Sequence, residues 1–485
     1  MFGVSDGESR QVQGMGSCSL AYRRYMGLFN RTSQHNNGEI QDETPLLVKP
    51  PATDDQGCRS MGDHCDYLLS QVEPLAPFGV SLAEAWGLTL CEDIKGDGNV
   101  PPVPVAETNG YAFCSSDIAA TAPGARPVLK VVKAPEAPVQ PPATPSGQPG
   151  GGVAAGAIAA VRAFGIGEAL PVRAGQALPV GADTVVTDRE VSHDEDAHAV
   201  KLLVKTAKGD WVRDAGAEVS EGGTIMTAGT VLDDRSSALL AAAGFSRVLV
   251  RPRARIALAD VVDSGAAKSA DDGRGPGVGM YLANGAAKAD GATIYHFEVD
   301  LAEPQASRER LNDELIRADL VLTVGGMTDD GADPRLVGLL NSLGAVDVAE
   351  VSMLPGRRHG FGLIGDERTP LVMLPEDAGA LLAAYHAFAR PVLRKLMGAE
   401  PYSHEAVLCF ADRDFDAELD VPQLVPCQLR QDRDRYLAGE VISRRHSQLP
   451  ALVAADALVL LPGDKARVYT GEALAAWLLN DQRIV

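Results

Sequence analysis

Between residues 251 and 399 the chain alternates short apolar runs with stretches of helical periodicity, and this alternation restricts the fold more than any other feature. The apolar runs at 254–262, 318–324, 346–353 and 369–374 are nearly continuous. Between and after them, residues 278–289, 307–317, 333–344 and 378–397 read as helices, and 292–298 as a further strand. A strand that is apolar on both sides must be covered on both faces, and parallel neighbours need crossover helices to connect them. The pattern predicts a doubly wound, mostly parallel sheet.

One strand ends in an informative way. Leu320, Val321, Leu322 and Val324 are followed at once by Gly325 and Gly326, then by Met327, Thr328, Asp329, Asp330, Gly331, Ala332, Asp333 and Pro334. In open α/β sheets ligands bind outside the C-terminal ends of the strands. Paired glycines allow close backbone approach, and their amides can face an anion. The neighbouring acids can hold a cation or repel a phosphate.

The remaining chain is organised around this domain. Its 485 residues imply about three domains. Residues 1–65 lack sustained periodicity and read as an extension, disordered or laid over a neighbour. Segments 66–95 and 156–180 are assigned to an elongated N-terminal domain, in which a helix begins near Asp66 and a second is capped by Ser81 with Glu84 three residues on. Segments 96–155 and 181–250 form a β-rich region carrying a Pro-rich loop at 119–152. Within it, the charged stretch 192–198 reads as a hairpin tip, with a metal site as the less common alternative. Residues 400–485 read as a small C-terminal β domain, with a helix conceivable at 451–461. The fold class is therefore multidomain α/β, with helical and β N-terminal domains.

Composition excludes several partners. Asp and Glu number 65 against 44 Lys and Arg, and a net charge of -21 opposes binding to a nucleic acid backbone or an anionic membrane surface. No apolar run reaches the roughly 18 residues of a membrane span. The N-terminus, MFGVSDGESR, is too polar for a signal peptide, and seven cysteines without CxxC pairing fit a reducing cytoplasm. Cys58, His64 and Cys65 lack a fourth spaced metal ligand.

Short motifs, in order, resemble those of the molybdopterin molybdenumtransferases, including the C-terminal domain of gephyrin. The family DGYA motif is matched by Asn109, Gly110, Tyr111 and Ala112, with Asp117 and Ile118 following. The stretch from Ala174 through Gly181, Ala182, Asp183 and Thr184 to Val186 stands for TGAPxPxGADxVV. Arg213, Asp214, Ala215, Gly216, Ala217 and Glu218 stand for RxxGED. The tail segment HSQLPALVAADALVLLP resembles the family's last domain. The resemblance covers residues 66–485. It implies a four-domain fold in a homodimer, insertion of molybdenum from molybdate into adenylylated molybdopterin with release of AMP, and a magnesium ion at the site.

Departures fall on the chemistry. The family's TGDE becomes Ser264, Gly265, Ala266 and Ala267, preceded by Asp263, so both motif carboxylates are gone. The Asp of DGYA is Asn109. In GGVSVGEADY only Asp333 of the acids is kept, while Asp329 and Asp330 are extra. PGKP becomes Pro355, Gly356, Arg357 and Arg358, and LPGNP becomes Leu374, Pro375, Glu376, Asp377 and Ala378. Glu376 and Asp377 at a helix start would cap that helix themselves and compete with a phosphate. Arg357, Arg358 and the more remote Lys268 offset that negative charge in part.

The resemblance thus implies Asp333, Glu218 and Asn109 as catalytic candidates. Ser264, Gly265, Gly325, Gly326, Thr328, Gly356 and Arg357 are the candidates for holding molybdopterin or its adenylylated form. Asp333, Asp329, Asp330 and Glu376 are the candidates for a rebuilt metal site, since magnesium prefers carboxylate oxygens in octahedral array. Two functions are weighed. One is a degenerate paralogue that binds a molybdenum-cofactor species or serves as an accessory or scaffold subunit for a molybdoenzyme or cofactor-pathway partner. The other is an active transferase with shifted ligands.

Overall fold

The structure is a computed structural model and describes residues 47–118, 125–132, 165–265, 277–328, 331–440 and 449–479. Most of the expected extension and Pro-rich loop lie outside the described residues, as do Ala266, Ala267, Lys268, Asp329 and Asp330. The chain separates into two units, one formed by residues up to Pro77 and from Arg251 onward, the other by Phe78–Val250.

The first unit is built on a seven-stranded sheet. Its strands are β1 (Arg59–Ser60), β2 (Arg255–Val262), β3 (Thr293–Asp300), β4 (Leu320–Val324), β5 (Gly344–Ser352), β6 (Arg358–Ile364) and β7 (Thr369–Leu374), ordered β1-β5-β6-β7-β4-β2-β3. Neighbours β7, β4, β2 and β3 run parallel, as expected, so their C-terminal ends share one edge. The antiparallel excursion β5-β6-β7 was not expected. The sequence of β6, RHGFGLI, hides its strand character behind a basic start and two glycines.

Alternation along the parallel strands sends side chains to two separate cores. Ile256, Leu258, Leu320, Leu322 and Leu374 face helices α1 (Met61–Ser70), α2 (Val278–Ala289) and α5 (Ala378–Ala384). Ala257, Ala259, Val321, Leu371 and Met373 face α3 (Pro304–Leu315) and α4 (Pro334–Asn341). The helix expected over 378–397 is interrupted by a π turn at Tyr385–Ala389 before α6 (Arg390–Met397), where Pro391 removes a donor from the ladder.

Order begins earlier than the boundary at 65. Ser60 caps α1 by accepting from the Asp63 amide at 3.0 Å, β1 pairs in parallel with β5, and Arg59 forms a two-pronged ion pair with Asp347 at 2.5 and 3.0 Å. Strands of the tail close into a five-stranded barrel. The run 451–461 divides into a short helix, Leu449–Ala454, and a strand, Ala457–Leu461, because the barrel core takes Ala457, Val459 and Leu461.

In the second unit a six-stranded sheet includes Gly110–Phe113 between Glu168–Val172 and Thr184–Thr187. The charged stretch at 192–198 is the expected hairpin, joining Val191–Asp194 to Ala199–Leu202. A second helix from Ser81 does not form. Phe78–Ser81 is a strand paired with residues 247–250, and the Ser81–Glu84 pair (2.8 Å) closes a turn instead. Sheet pairing outweighed the local capping signal there. Among the described residues no helix is long and apolar enough to cross a membrane, and no three His, Cys, Asp or Glu side chains group as a metal site.

Four histidines of the first unit are enclosed: His64, His359, His386 and His404. Burial holds each below its ordinary value, His359 at about 4 and His386 at about 3. They are neutral in the fold, whereas in the unfolded chain they protonate near 6.5. The unfolded state then binds more protons in the window between those values, so stability falls as pH drops below about 6.5. His64 lies edge-on to Phe388 with ring centres 5.0 Å apart. His64→Phe is expected to keep that packing and reduce the loss of unfolding free energy between pH 7 and 5, measured by urea titration.

Candidate functional site

The parallel edge collects most of the expected site residues. Gly325 and Gly326 follow β4 with φ of +95° and +69°. A Cβ on Gly326 would lie 2.5 Å from Leu336 Cδ2, and one on Gly325 would lie 3.1 Å from the Val261 carbonyl oxygen. The pair is therefore required by backbone conformation and by the close seating of α4 and β2, whatever else it does. Beyond it, Met327–Thr328 pairs with Gly331–Ala332, and the Asp333 amide closes the loop on the Gly326 carbonyl at 2.8 Å. Met327 is buried and Thr328 exposed, its hydroxyl donating to the Gly331 carbonyl at 3.2 Å. Asp329 and Asp330, proposed for metal, lie outside the described residues.

The retained acid, Asp333, is fully engaged. It caps α4 by accepting from the Arg335 amide at 2.8 Å, and it accepts from the Arg335 guanidinium at 2.7 and 3.2 Å. The same guanidinium donates to Asp263, at the end of β2, at 2.8 Å. Hydrogen bonds from the Arg335 side chain, above all, hold the Asp333 carboxyl below its usual range against the opposing effect of burial. Arg335 was not among the sequence candidates. Its signal is a basic residue in the first turn of a helix, where the dipole disfavours a cation.

The other edge residues are held as follows. The Ser264 amide donates to Asp300 at the end of β3 (3.1 Å), and the Gly265 amide to Asp263 (3.1 Å). Glu376 is exposed after β7, while Asp377 caps α5 through the amides of Gly379 and Ala380, both at 3.0 Å. The expected competition for that helix N-terminus is thus resolved in favour of the side chain. Gly356, at φ +77°, seats against Ala380 of α5. Arg357 makes no ion pair with a described residue, and its Nε is buried without a hydrogen-bond partner.

A cleft that sequence reasoning missed lies on the same unit. It encloses about 400 Å³ beside the start of α2 and is lined by Asp260, Gly277, Met280, Tyr281, Asn284 and His296. Burial, then the charges of Glu298 and Glu376, push the Asp260 carboxyl above its ordinary value. His296 Nε2 lies 3.1 Å from Asn284 Oδ1. The sole sequence signal was an acid inside the apolar run of β2.

Asn109 and Glu218 belong to the second unit. Asn109 Oδ1 accepts from the Ala174 amide at 2.9 Å, and Glu218 pairs with Arg213 at 2.5 Å. Gly110 has a packing reason: a Cβ there would come within 1.9 Å of the Val186 carbonyl oxygen. Asp183 accepts from the Ser115 amide at 2.7 Å and hydroxyl at 2.9 Å, which organises the turn after that strand.

These observations test the magnesium that the resemblance implies. Of the described carboxylates, Asp263 and Asp333 share a guanidinium and Asp377 is spent on a cap. Glu376 is exposed and near enough to Asp260 to raise that carboxyl, but no three His, Cys, Asp or Glu side chains group as a metal site among the described residues. The described residues do not fit a resident divalent cation, which needs several converging oxygens.

Comparison with known proteins agrees with the fold. Residues 59–244 match the family described as the MoeA N-terminal region (domain I and II). The chain is 28% identical over 420 residues to molybdopterin molybdenumtransferase 1 of Mycobacterium tuberculosis, covering 82% of this chain and 93% of the relative. It is 26% identical over 444 residues to molybdopterin molybdenumtransferase 2 of the same organism, covering 87% and 100%. The solved molybdopterin biosynthesis moeA protein from Pyrococcus horikoshii OT3 superposes with a TM-score of 0.65 at 20% identity, covering 87% and 100%, and shares the fold.

Two substitutions check the local geometry. Gly326→Ala is expected to destabilise by about 1–3 kcal/mol through overpacking against Leu336. Asp377→Ala should cost about 1 kcal/mol through loss of the cap, while Asp377→Asn, which also caps, should cost only a few tenths. Denaturant unfolding measures both.

Proposed function

We propose that this MoeA-like chain binds a molybdopterin-type anionic ligand along the parallel sheet edge without performing metal-dependent insertion. The observation that carries this reading is the engagement of Asp263 and Asp333 by Arg335, which leaves neither acid of that pair free for magnesium. Arg357 supports the binding half, as a cation without a described partner beside the Gly356 turn. A guanidinium suits phosphate through paired hydrogen bonds. The ligand in this reading is molybdopterin or its adenylylated form, with molybdate outside the reaction. A homodimer and a molybdoenzyme or cofactor-pathway partner belong to the same reading.

A second reading is an active molybdopterin molybdenumtransferase. It is favoured by the names of relatives that match 82% and 87% of this chain. Asp329 and Asp330 would supply the missing oxygens, next to Asp333 in sequence.

One assay separates the readings. The purified chain is offered adenylylated molybdopterin, molybdate and magnesium, and AMP is followed. The first reading expects saturable binding with no AMP released, and Arg357→Ala to weaken binding by roughly tenfold, the loss of a charge-assisted contact. Magnesium-dependent AMP release overturns it in favour of the second.

A further inference from the structure

The geometry points to Arg335 as the resident cation of the sheet edge: its guanidinium occupies the carboxylate pair Asp263–Asp333 in place of a divalent metal and keeps that pair closed to one. The two acids stand on loops after neighbouring parallel strands, β2 and β4. Oxygens of separate strand ends converge on one cation, which is the arrangement a divalent ion would need. Here the converging charge is covalently part of the chain.

The contacts account for the acids' acceptors. Asp333 Oδ1 accepts the Arg335 amide and Nε, at 2.8 and 3.2 Å, and Oδ2 accepts Nη2 at 2.7 Å. Asp263 Oδ2 accepts Nη1 at 2.8 Å, and its Oδ1 accepts the Gly265 amide at 3.1 Å. Every oxygen of the pair is hydrogen-bonded, and both side chains are only 24% exposed. A metal entering here would have to displace a three-pronged guanidinium and leave it unpaired, facing a like charge.

The position of Arg335 argues against an incidental surface pair. It sits in the first turn of α4, after the cap Asp333 and Pro334. The helix dipole opposes a cation there. Two carboxylates, one of them from a different strand end, offset that. Removing the guanidinium should reverse the situation, leaving two adjacent acids at a helix N-terminus and strand end with no counter-charge.

This inference rests on the same Arg335 contacts as the reading above; Mn²⁺ binding tests it without a pterin ligand, while saturable pterin binding and AMP release test the reading, so the two failures are distinguishable. Mn²⁺ is titrated into the full chain and bound ion is read by electron paramagnetic resonance. The wild type is expected to show no Mn²⁺ site that Asp263→Asn abolishes. Arg335→Gln, neutral and of similar reach, should gain a site at least roughly tenfold tighter than any wild-type binding, through release of the acid pair. That gain should vanish in the double variant Arg335→Gln/Asp263→Asn. Circular dichroism verifies folding, and Mn²⁺ should raise the melting temperature of Arg335→Gln alone. Wild-type Mn²⁺ binding that survives Asp263→Asn lies elsewhere and agrees with a closed pair. Wild-type binding lost in Asp263→Asn overturns the inference, as does a folded Arg335→Gln variant that gains no site.

Discussion

Two-sided burial of the central parallel strands governs the rest of this molecule. Because β2, β4 and β7 present apolar side chains to a helical layer on each face, few positions along them can carry chemistry. Polar groups are displaced to the strand ends: Asp263 after β2, Asp300 at the end of β3, Gly325 and Gly326 after β4, Glu376 and Asp377 after β7. Parallel pairing then gathers those ends at one edge. The location of the candidate site therefore follows from how the core is covered, before any particular ligand is considered.

At that edge, and separately in the sheet of the second unit, packing and binding make overlapping demands on the same residues. Gly326 must be glycine because Leu336 fills the space of a Cβ, and Gly110 because the Val186 carbonyl does. Asp183 ties down a turn, and Asp377 ends a helix. A motif residue can thus persist for the fold alone. The chemistry has to be judged from groups whose bonding potential is left over, and among the described candidates Arg357 is the clearest. Its charge meets no described partner, while Asp333 and Glu218 each already hold an arginine.

Much of this could be read from residues alone, with failures of a definite kind. The alternation over 254–374 gave the parallel core, because apolar runs of that length have few other uses. The motif order pointed to the molybdopterin molybdenumtransferases, to which the chain is similar over most of its length. Ser81–Glu84 misled because a capping pair is a local signal, and the pairing of Phe78–Ser81 with residues 247–250 is long-range. The strand β6 escaped because its exposed start masks a buried end. Arg335 escaped because side-chain partners across loops leave no trace in spacing: Asp263 is 72 positions away. For the same reason, the cleft at Asp260 and His296 depends on two strands and a helix that no single window contains.

The placement of Arg335 also bears on what kind of divergence this is. Without Arg335, Asp333 and Asp263 would face each other as like charges, at a cost in the folded state. A metal could offset that cost only while bound, making the edge's order depend on ion concentration. A tethered guanidinium offsets it permanently and is always charged. Asp263 and Asp333 are then partners of one arginine, which ties the loop after β2 to the start of α4. Among the described residues of the edge, Arg357 is then the cation left without a carboxylate, while Arg335 is held by two.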